Sequence, residues 1–266
     1  MTSNETLMHE LAHDDTGGTG PLVVMLPGAG DLRSEYRFLV DRLRGAGHRV
    51  VTADLPGHGD SPTAAEYTVA STAAAVVGLI EALDGGPAVV VGCSFAPAAA
   101  VWAAADRPDL IRGMVAISPH LHGDHSLKGR FLNASTRALM RGSWAGGLWA
   151  KLYAGFYKTT PPSDLDSELD RIRTMLHDRA RRRAVRETLT AGRDGVAERA
   201  AAVRLPTLIV FGSLDDHFAD PVAEAEAVSS LLRGEHLVVD GAGHYPQVER
   251  PEAVGEAIEA FLGDLD

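Results

Sequence analysis

Short, continuously apolar runs alternate along the chain with longer segments in which apolar positions recur at helical spacing. Six apolar runs rich in β-branched residues predict buried strands, at positions 22–26, 49–53, 88–91, 113–118, 207–211 and 236–239. Five segments between or after them predict helices, at positions 35–46, 69–83, 95–105, 221–232 and 251–262. Strands that are apolar at every position are typical of parallel sheets covered on both faces. The pattern therefore predicts an α/β fold with a mostly parallel central sheet and helices on both faces.

The alternation stops in the middle of the chain. Between residues 119 and 203 the sequence is helical, aromatic and rich in arginine, and it predicts no strand. We interpret this stretch as a helical cap, or lid, inserted into a core domain made of residues 1–118 and 204–266. With 266 residues, of which 45% are hydrophobic, the chain is long enough for one large α/β domain with such an insertion.

One serine lies in a turn of small residues between the predicted strand 88–91 and the predicted helix 95–105. Gly92 and Ala96 flank Ser94 at two positions on either side. A tight strand-to-helix turn holds its central residue in a strained backbone conformation, and small flanking residues let the strand and helix pass closely. The turn favours Ser94 as a nucleophile. On this segment alone, a serine that merely caps a helix remains an alternative.

Two later strands are each followed by a residue suited to activating a serine. Asp215 follows the strand 207–211, and His244 ends the glycine-rich loop after the strand 236–239. The chain order serine, aspartate, histidine is that of the α/β-hydrolase triad and differs from the chymotrypsin and subtilisin orders. We predict His244 as the base and Asp215 as the acid, in preference to its neighbour Asp216.

Together with two further loops, these motifs resemble the α/β-hydrolase superfamily over nearly the whole chain. Residues 25–30, Met-Leu-Pro-Gly-Ala-Gly, resemble the family's oxyanion loop, with Pro27 where histidine is usual. Residues 54–61, Asp-Leu-Pro-Gly-His-Gly-Asp-Ser, resemble the family's D-x-P-G-x-G-x-S turn. The resemblance implies that the backbone amides of Ala29 and Phe95 form an oxyanion hole.

A serine at the apex of the turn implies acyl chemistry, whereas the dehalogenases and epoxide hydrolases of this superfamily use an aspartate there. We therefore predict a serine hydrolase that cleaves a carboxylic ester or thioester of a small molecule through an acyl-enzyme on Ser94. Two alternatives remain open. One is a non-hydrolytic enzyme of the same fold, such as a lyase, a cyclase or a cofactor-free tailoring enzyme, and the other is a binding protein. Fold and triad do not choose the substrate.

The predicted cap is basic, whereas the rest of the chain is acidic. Residues 119–200 contain 15 lysines and arginines against 9 acidic residues, a net charge of +6, which leaves −17 for the remainder. One interpretation is that the lid attracts an anionic substrate, such as a carboxylate or the phosphates of a carrier thioester. The plainer interpretation is that the arginines of residues 179–186 form a solvated helix face.

Aromatic residues recur at helical spacing within the cap. Trp149, Tyr153 and Tyr157 lie four residues apart and predict one apolar helix face, most of which serves packing. A cap helix that spans the mouth of a pocket also turns one edge toward the substrate. Trp144, Trp149 and Tyr153 are the candidates to line the substrate site.

Several other residues with ligand or base chemistry are interpreted more plainly. His58 and His217 are interpreted as loop histidines. We predict no metal and no cofactor, because one cluster carries metal-ligand types but lacks a second group at metal-site spacing. That cluster consists of His120, His122, Asp124 and His125.

Composition limits the partners and the compartment. A net charge of −11 disfavours nucleic acids and anionic membranes, so the expected partner is a small-molecule acyl substrate. The single cysteine, Cys93, has no partner for an internal disulfide, and it precedes the apex of the turn, where it is expected to point away from the pocket. We see no secretory signal and no apolar run near the ~20 residues of a membrane span, so we expect a cytoplasmic protein.

Overall fold

The computed structural model describes residues 11–123 and 126–265. Within them, seven strands form one sheet in the order β1-β3-β2-β4-β5-β6-β7. The strands are β1 His13–Asp15, β2 Leu22–Leu26, β3 Arg49–Ala53, β4 Ala88–Cys93, β5 Ile111–Ile117, β6 Thr207–Gly212 and β7 Glu235–Val239. All neighbouring strands are parallel except β1, which runs antiparallel to β3 at the edge. The predicted α/β class and the six predicted strands are confirmed.

Helices cover both faces of the sheet. In chain order they are α1 Val40–Gly45, α2 Val69–Leu83, α3 Ala96–Asp106, α4 Leu127–Leu139, α5 Ala145–Ala154, α6 Leu165–His177, α7 Arg179–Leu189, α8 Val196–Ala202, α9 Pro221–Leu232, α10 Pro246–Glu249 and α11 Pro251–Gly263. Alternate residues of β2 pack into opposite cores, because successive side chains of a strand point to opposite faces. Val24 packs with α2, α3 and α9, whereas Val23 packs with α1 and α11.

One predicted helix is wrong. The stretch 35–46 contains a short 3-10 turn, Arg33–Tyr36, followed by the separate helix α1. The reason lies in two buried side chains. The hydroxyl of Tyr36 donates to the carbonyl oxygen of Leu26 at 2.9 Å, and Glu35 accepts the amide of Gly28 at 3.0 Å. These tertiary contacts tie the turn to the loop after β2.

Between β5 and β6 the described chain is helical, from α4 to α8. Helix α5 packs on α6, and its residues Trp149 and Tyr153 enter the core on the same face as α1 and α11. Helix α8 behaves differently, because its buried residues Val196 and Ala200 pack with α3 on the other face. The last helix of the stretch that we predict as a cap therefore packs as part of the core.

None of the helices in the described ranges is both long and apolar enough to cross a membrane.

Candidate active site

Ser94 occupies the turn between β4 and α3 with a backbone φ of 56°, in the left-handed region that non-glycine residues rarely adopt. Its amide donates to the carbonyl oxygen of Ile117 at 2.9 Å, and its own carbonyl accepts the amide of His120 at 2.9 Å. A Cβ on Gly92 would lie 3.0 Å from the backbone nitrogen of Pro97, so strand and helix approach each other closely at this position. The end of β5 and the small residues of the turn thus hold the serine in a nucleophile elbow.

The predicted acid and base meet at the same edge of the sheet. Nδ1 of His244 lies 2.8 Å from Oδ2 of Asp215, and both side chains are buried. The carboxylate of Asp216 is exposed and pairs instead with Lys158 at 2.7 Å. Geometry therefore favours Asp215 over Asp216 as the partner of the histidine.

Among the described residues, the hydroxyl of Ser94 makes no hydrogen bond, and Ser94 is only half-buried. The loop over it is close, because a Cβ on Gly28 would lie 3.3 Å from Cβ of Ser94 and 3.8 Å from the hydroxyl of Tyr245, the residue after His244. Catalytic serine–histidine bonds are often long without substrate and tighten when it binds.

Two backbone amides in the segments next to this serine have no protein acceptor in the described ranges. They belong to Ala29 and Phe95, the residues predicted for the oxyanion hole. The amide of Gly28, one residue earlier, is occupied by Glu35 at 3.0 Å. Glu35 therefore fixes the orientation of the loop that has Pro27 where the family usually has histidine.

His217 contacts the candidate acid, which sequence reasoning missed. Its backbone amide and its Nδ1 lie 3.1 Å and 3.0 Å from Oδ1 of Asp215, and its ring lies 3.9 Å from the ring of His244 at 35°. His58, by contrast, lies in a buried loop with Nδ1 3.0 Å from the carbonyl oxygen of Pro56. The spacing of two residues between the aspartate and His217 was the available signal, since aspartates bond residues two positions on in Asx turns.

The charge of the acid and base follows from these contacts. Burial alone would raise the pKa of Asp215, but hydrogen bonds from His217 and His244 outweigh it and hold that pKa below its usual range. Burial and the nearby His217 lower the pKa of His244, although its bond to Asp215 opposes the shift. At neutral pH the pair is therefore an ionised carboxylate and a neutral imidazole, the state of a general base.

A third histidine lies beside this pair. The ring of His120 is 5.8 Å from that of His244 and stacks on Phe218 at 4.7 Å. Burial lowers the pKa of His120 to about 3, so it is neutral as well. Of the other ligand types predicted around it, His122 is exposed, whereas Asp124 and His125 lie outside the described residues.

The three aromatic candidates of the predicted cap have different surroundings. Nε1 of Trp149 donates to the carbonyl oxygen of Gly30 at 2.9 Å, and the hydroxyl of Tyr153 donates to Oδ2 of Asp31 at 2.9 Å. Both side chains thus hold the loop that carries Ala29. Trp144 is 63% exposed and lines a surface groove that does not include the triad residues. Its predicted place in the substrate site is therefore not supported.

Two buried carboxyl groups, Asp31 and Glu35, lie beneath this loop. Burial raises the pKa of Asp31 to about 6, and burial together with the charge of Asp31 raises that of Glu35 well above its usual value. Glu35 also accepts a hydrogen bond from the side-chain amide of Gln247 at 2.5 Å. The pair holds at least one proton at mildly acidic pH.

The arginines of the predicted cap are largely engaged in structural contacts. Arg181 donates to the carbonyl oxygen of Ser61 at 3.1 Å, Arg182 donates to that of Leu176 at 2.7 Å, and Arg183 pairs with Glu187 at 2.9 Å. These bonds favour the plainer interpretation for those three. A groove of five arginines nonetheless lies on this face, lined by Arg141, Arg179, Arg182, Arg183 and Arg186.

A mostly parallel sheet with a strained serine after β4, an acid after β6 and a histidine after β7 defines the class of α/β-hydrolase folds. The sequence profile of the "Alpha/beta hydrolase family" matches residues 23–257, and the chain belongs to that family.

Relatives and solved structures agree with this membership. The chain is 33% identical to polyketide synthase ThaQ of Burkholderia thailandensis over 93% of its own length, but it spans only 12% of that synthase. It is 29% identical to pimeloyl-[acyl-carrier protein] methyl ester esterase of Xanthomonas oryzae pv. oryzae, over 95% of this chain and 99% of the esterase. The structure of a thermophilic esterase from Thermogutta terrifontis superposes with a TM-score of 0.81 at 25% identity, covering 96% of this chain and 93% of the other.

Proposed function

We propose that the protein is a serine hydrolase that cleaves a carboxylic ester or thioester of a small molecule through an acyl-enzyme on Ser94. The observation that carries the proposal is the 2.8 Å contact between His244 and Asp215 at the sheet edge where Ser94 stands in its strained turn. The names of two relatives, an esterase of Xanthomonas and an esterase of Thermogutta, point to the same bond type.

In this mechanism Nε2 of His244 accepts the proton of Ser94 as the hydroxyl oxygen attacks the carbonyl carbon. Asp215 keeps the other ring proton on Nδ1 and stabilises the imidazolium that forms. The amides of Ala29 and Phe95 receive the oxyanion, and loss of one such donor typically costs ~3 kcal/mol in the transition state. His244 then protonates the leaving alcohol or thiol, and water deacylates the enzyme with the same histidine as base.

The test is mass spectrometry of the intact protein after reaction with a fluorophosphonate. Wild type should gain one adduct, while Ser94→Ala should gain none and His244→Ala should react at least ~100-fold more slowly, since general-base assistance contributes about that much. The same variants should lose turnover of p-nitrophenyl acyl esters. Equal labelling of wild type and Ser94→Ala would overturn the assignment of the nucleophile. No adduct on folded wild type would favour the non-hydrolytic alternative.

A carrier-linked acyl group is the substrate class that two observations favour. The Xanthomonas relative is named for an ester held on an acyl-carrier protein, and the cap carries the groove of five arginines. Arg141 and Arg179 suit a test, because neither forms an ion pair within the described chain. Arg141→Glu with Arg179→Glu should raise KM for an acyl-phosphopantetheine thioester and leave a neutral p-nitrophenyl ester unchanged. An equal change in KM for both substrates would rule out carrier-linked acyl groups as the substrate class.

A further inference from the structure

Three potential metal ligands converge at the candidate acid. One ligand atom each of Asp215, His217 and His244 lies within 4.8 Å of the others. Both imidazoles direct Nδ1 at the same carboxylate, at 3.0 Å for His217 and 2.8 Å for His244. Two imidazole nitrogens and a carboxylate oxygen are a common ligand set for Zn²⁺ and other divalent transition metals.

We propose that this cluster is an inhibitory binding site for a divalent transition metal such as Zn²⁺, held by Nδ1 of His217, Nδ1 of His244 and a carboxylate oxygen of Asp215. The ion is an external inhibitor here, with no part in the hydrolysis. Its binding depends only on the geometry of the cluster, whereas the loss of activity that it causes rests on the proposed function.

The surroundings of the cluster suit a cation. In the described chain the carboxylate of Asp215 receives hydrogen bonds from the two imidazoles and from the amide of His217, and it forms no pair with lysine or arginine. Its negative charge is therefore not neutralised by a permanent cation. The side chain of His217 is 28% exposed, whereas those of His244 and Asp215 are 3% and 0% exposed. Solvent thus reaches the cluster through His217.

Metal binding would switch off the base through its tautomer. With Asp215 as partner, His244 carries its proton on Nδ1 and presents a lone pair on Nε2 to Ser94. A metal on Nδ1 takes the place of that proton, which leaves Nδ1 and is regained at Nε2 by exchange with water, so the neutral ring then carries its proton on Nε2. The imidazole keeps its single proton, so no other acid or base is consumed. Nε2–H is a donor and does not accept the proton of Ser94.

His217 is what distinguishes this site from a bare triad. Asp215 and His244 alone offer two ligands, and His217 adds the third that makes a chelate. Three protein ligands with a non-protein ligand in the fourth position is an arrangement that Zn²⁺ adopts in proteins. Affinity should therefore depend on His217 as well as on Asp215 and His244, and on no histidine outside this cluster.

The first experiment measures binding without any substrate. Zn²⁺ is titrated calorimetrically, and Co²⁺ by its visible absorption, into wild type, His217→Gln and the exposed matched control His177→Gln. One ion per chain is expected, with affinity at least ~10-fold weaker in His217→Gln, because loss of a ligand removes chelation. His177→Gln should bind like wild type. Equal affinity in wild type and His217→Gln, or no binding up to millimolar metal, would overturn the proposal.

The second experiment measures inhibition. Zn²⁺ should suppress p-nitrophenyl ester turnover and fluorophosphonate labelling of wild type, and EDTA should restore both. The concentration for half-inhibition, taken relative to each variant's own metal-free rate, should rise at least ~10-fold in His217→Gln and stay constant in His177→Gln. A chain that binds Zn²⁺ through His217 yet hydrolyses no ester would keep the metal site and remove the proposed function. Hydrolysis without His217-dependent binding would do the reverse.

Discussion

The indole nitrogen of Trp149 donates a hydrogen bond to the carbonyl oxygen of Gly30 at 2.9 Å, which joins helix α5 to the residue directly after the candidate oxyanion donor Ala29. One turn further along the helix, Tyr153 binds the carboxyl of Asp31 at 2.9 Å. Two consecutive residues of the loop are thus fixed by helix α5. The position of the Ala29 amide therefore depends on α5 as well as on β2.

Removing these bonds should slow the chemical step. Trp149→Phe and Tyr153→Phe keep an aromatic ring but lose the donor, so each should lower kcat by roughly tenfold and cost ~1 kcal/mol of stability, the usual worth of one buried hydrogen bond. Steady-state kinetics and urea unfolding measure the two effects. The exposed Trp144 provides the control, and Trp144→Phe should change neither quantity. Equal losses in all three variants would contradict a specific role for the two anchors.

The two adjacent aspartates should differ sharply. Asp215→Asn removes the acceptor that sets the tautomer of His244, and the analogous change in a serine protease lowers kcat about 10⁴-fold, so a loss of that order is expected. Asp216→Asn removes only an exposed pair with Lys158 and should cost less than ~3-fold. Turnover of a p-nitrophenyl ester measures both. A larger loss of turnover in Asp216→Asn than in Asp215→Asn would assign the role of the acid to Asp216.

The pH dependence should reflect the depressed pKa of His244. Its neutral form is the base, so kcat/KM should fall as pH decreases through a midpoint below 6.5, the ordinary value for histidine. Burial is the main cause of the shift, and the neighbouring His217 adds to it. In His217→Gln, assayed with EDTA, the midpoint should therefore move upward. A wild-type midpoint above 7 would contradict this account.

The buried pair of Asp31 and Glu35 predicts a pH-dependent effect on stability. Because the folded pKa of Asp31 is raised from 3.8 to about 6, the stability that this group contributes is fully present below about pH 4 and is lost as pH rises through about 6. Asp31→Asn cannot ionise. The variant's loss of unfolding free energy relative to wild type should therefore be smaller at pH 8 than at pH 5. Urea unfolding of wild type and Asp31→Asn at pH 5 and pH 8 measures this difference. The same difference in unfolding free energy at both pH values would contradict a raised pKa of Asp31.

The close approach at Gly92 predicts a steric effect. A Cβ there would meet the backbone of Pro97 at 3.0 Å, which a rigid turn cannot relieve, so Gly92→Val should destabilise the fold by about 1–3 kcal/mol. Gly147 in α5 is the matched control, since a Cβ there would meet no atom within 4 Å. Gly147→Ala should be neutral or stabilising by up to ~1 kcal/mol. Thermal melts of both variants measure the difference.

The hydrophobic pattern predicted the centre of the molecule well because burial on both faces makes β2 and β4 apolar at every position and β6 apolar from Leu208 onward. It also gave the bounds of α2 without error, since the helix is amphipathic throughout. The edge strand β1 escaped detection because its residues, His-Asp-Asp, are polar and half-exposed or exposed. The extended conformation of β1 comes from its antiparallel pairing with β3, and this pairing cannot be predicted from the three residues of the strand.

For the site, the sequence yielded residues whose roles follow from strand ends. Ser94, Asp215 and His244 each follow a parallel strand, and parallel strands end at one edge. What it did not reveal were partners set by tertiary packing. In the sequence His217 looks like an ordinary loop histidine, and Glu35, whose carboxyl is buried, lies at the start of the predicted helix 35–46. Both are recognisable only once their neighbours are known.

The bonds from α5 to Gly30 and Asp31 also bear on attempts to exchange lids between related enzymes. A replacement for α5 that lacks an indole at position 149 and a phenol at position 153 would remove two hydrogen-bond donors. The carbonyl of Gly30 and the carboxyl of Asp31 would then be buried without their partners. Residues 28–31 and helix α5 therefore form one structural unit, whose sequences must be exchanged together. Recombination that separates them should yield chimaeras that fold but react sluggishly, and crossover points placed to keep them together should preserve the rate.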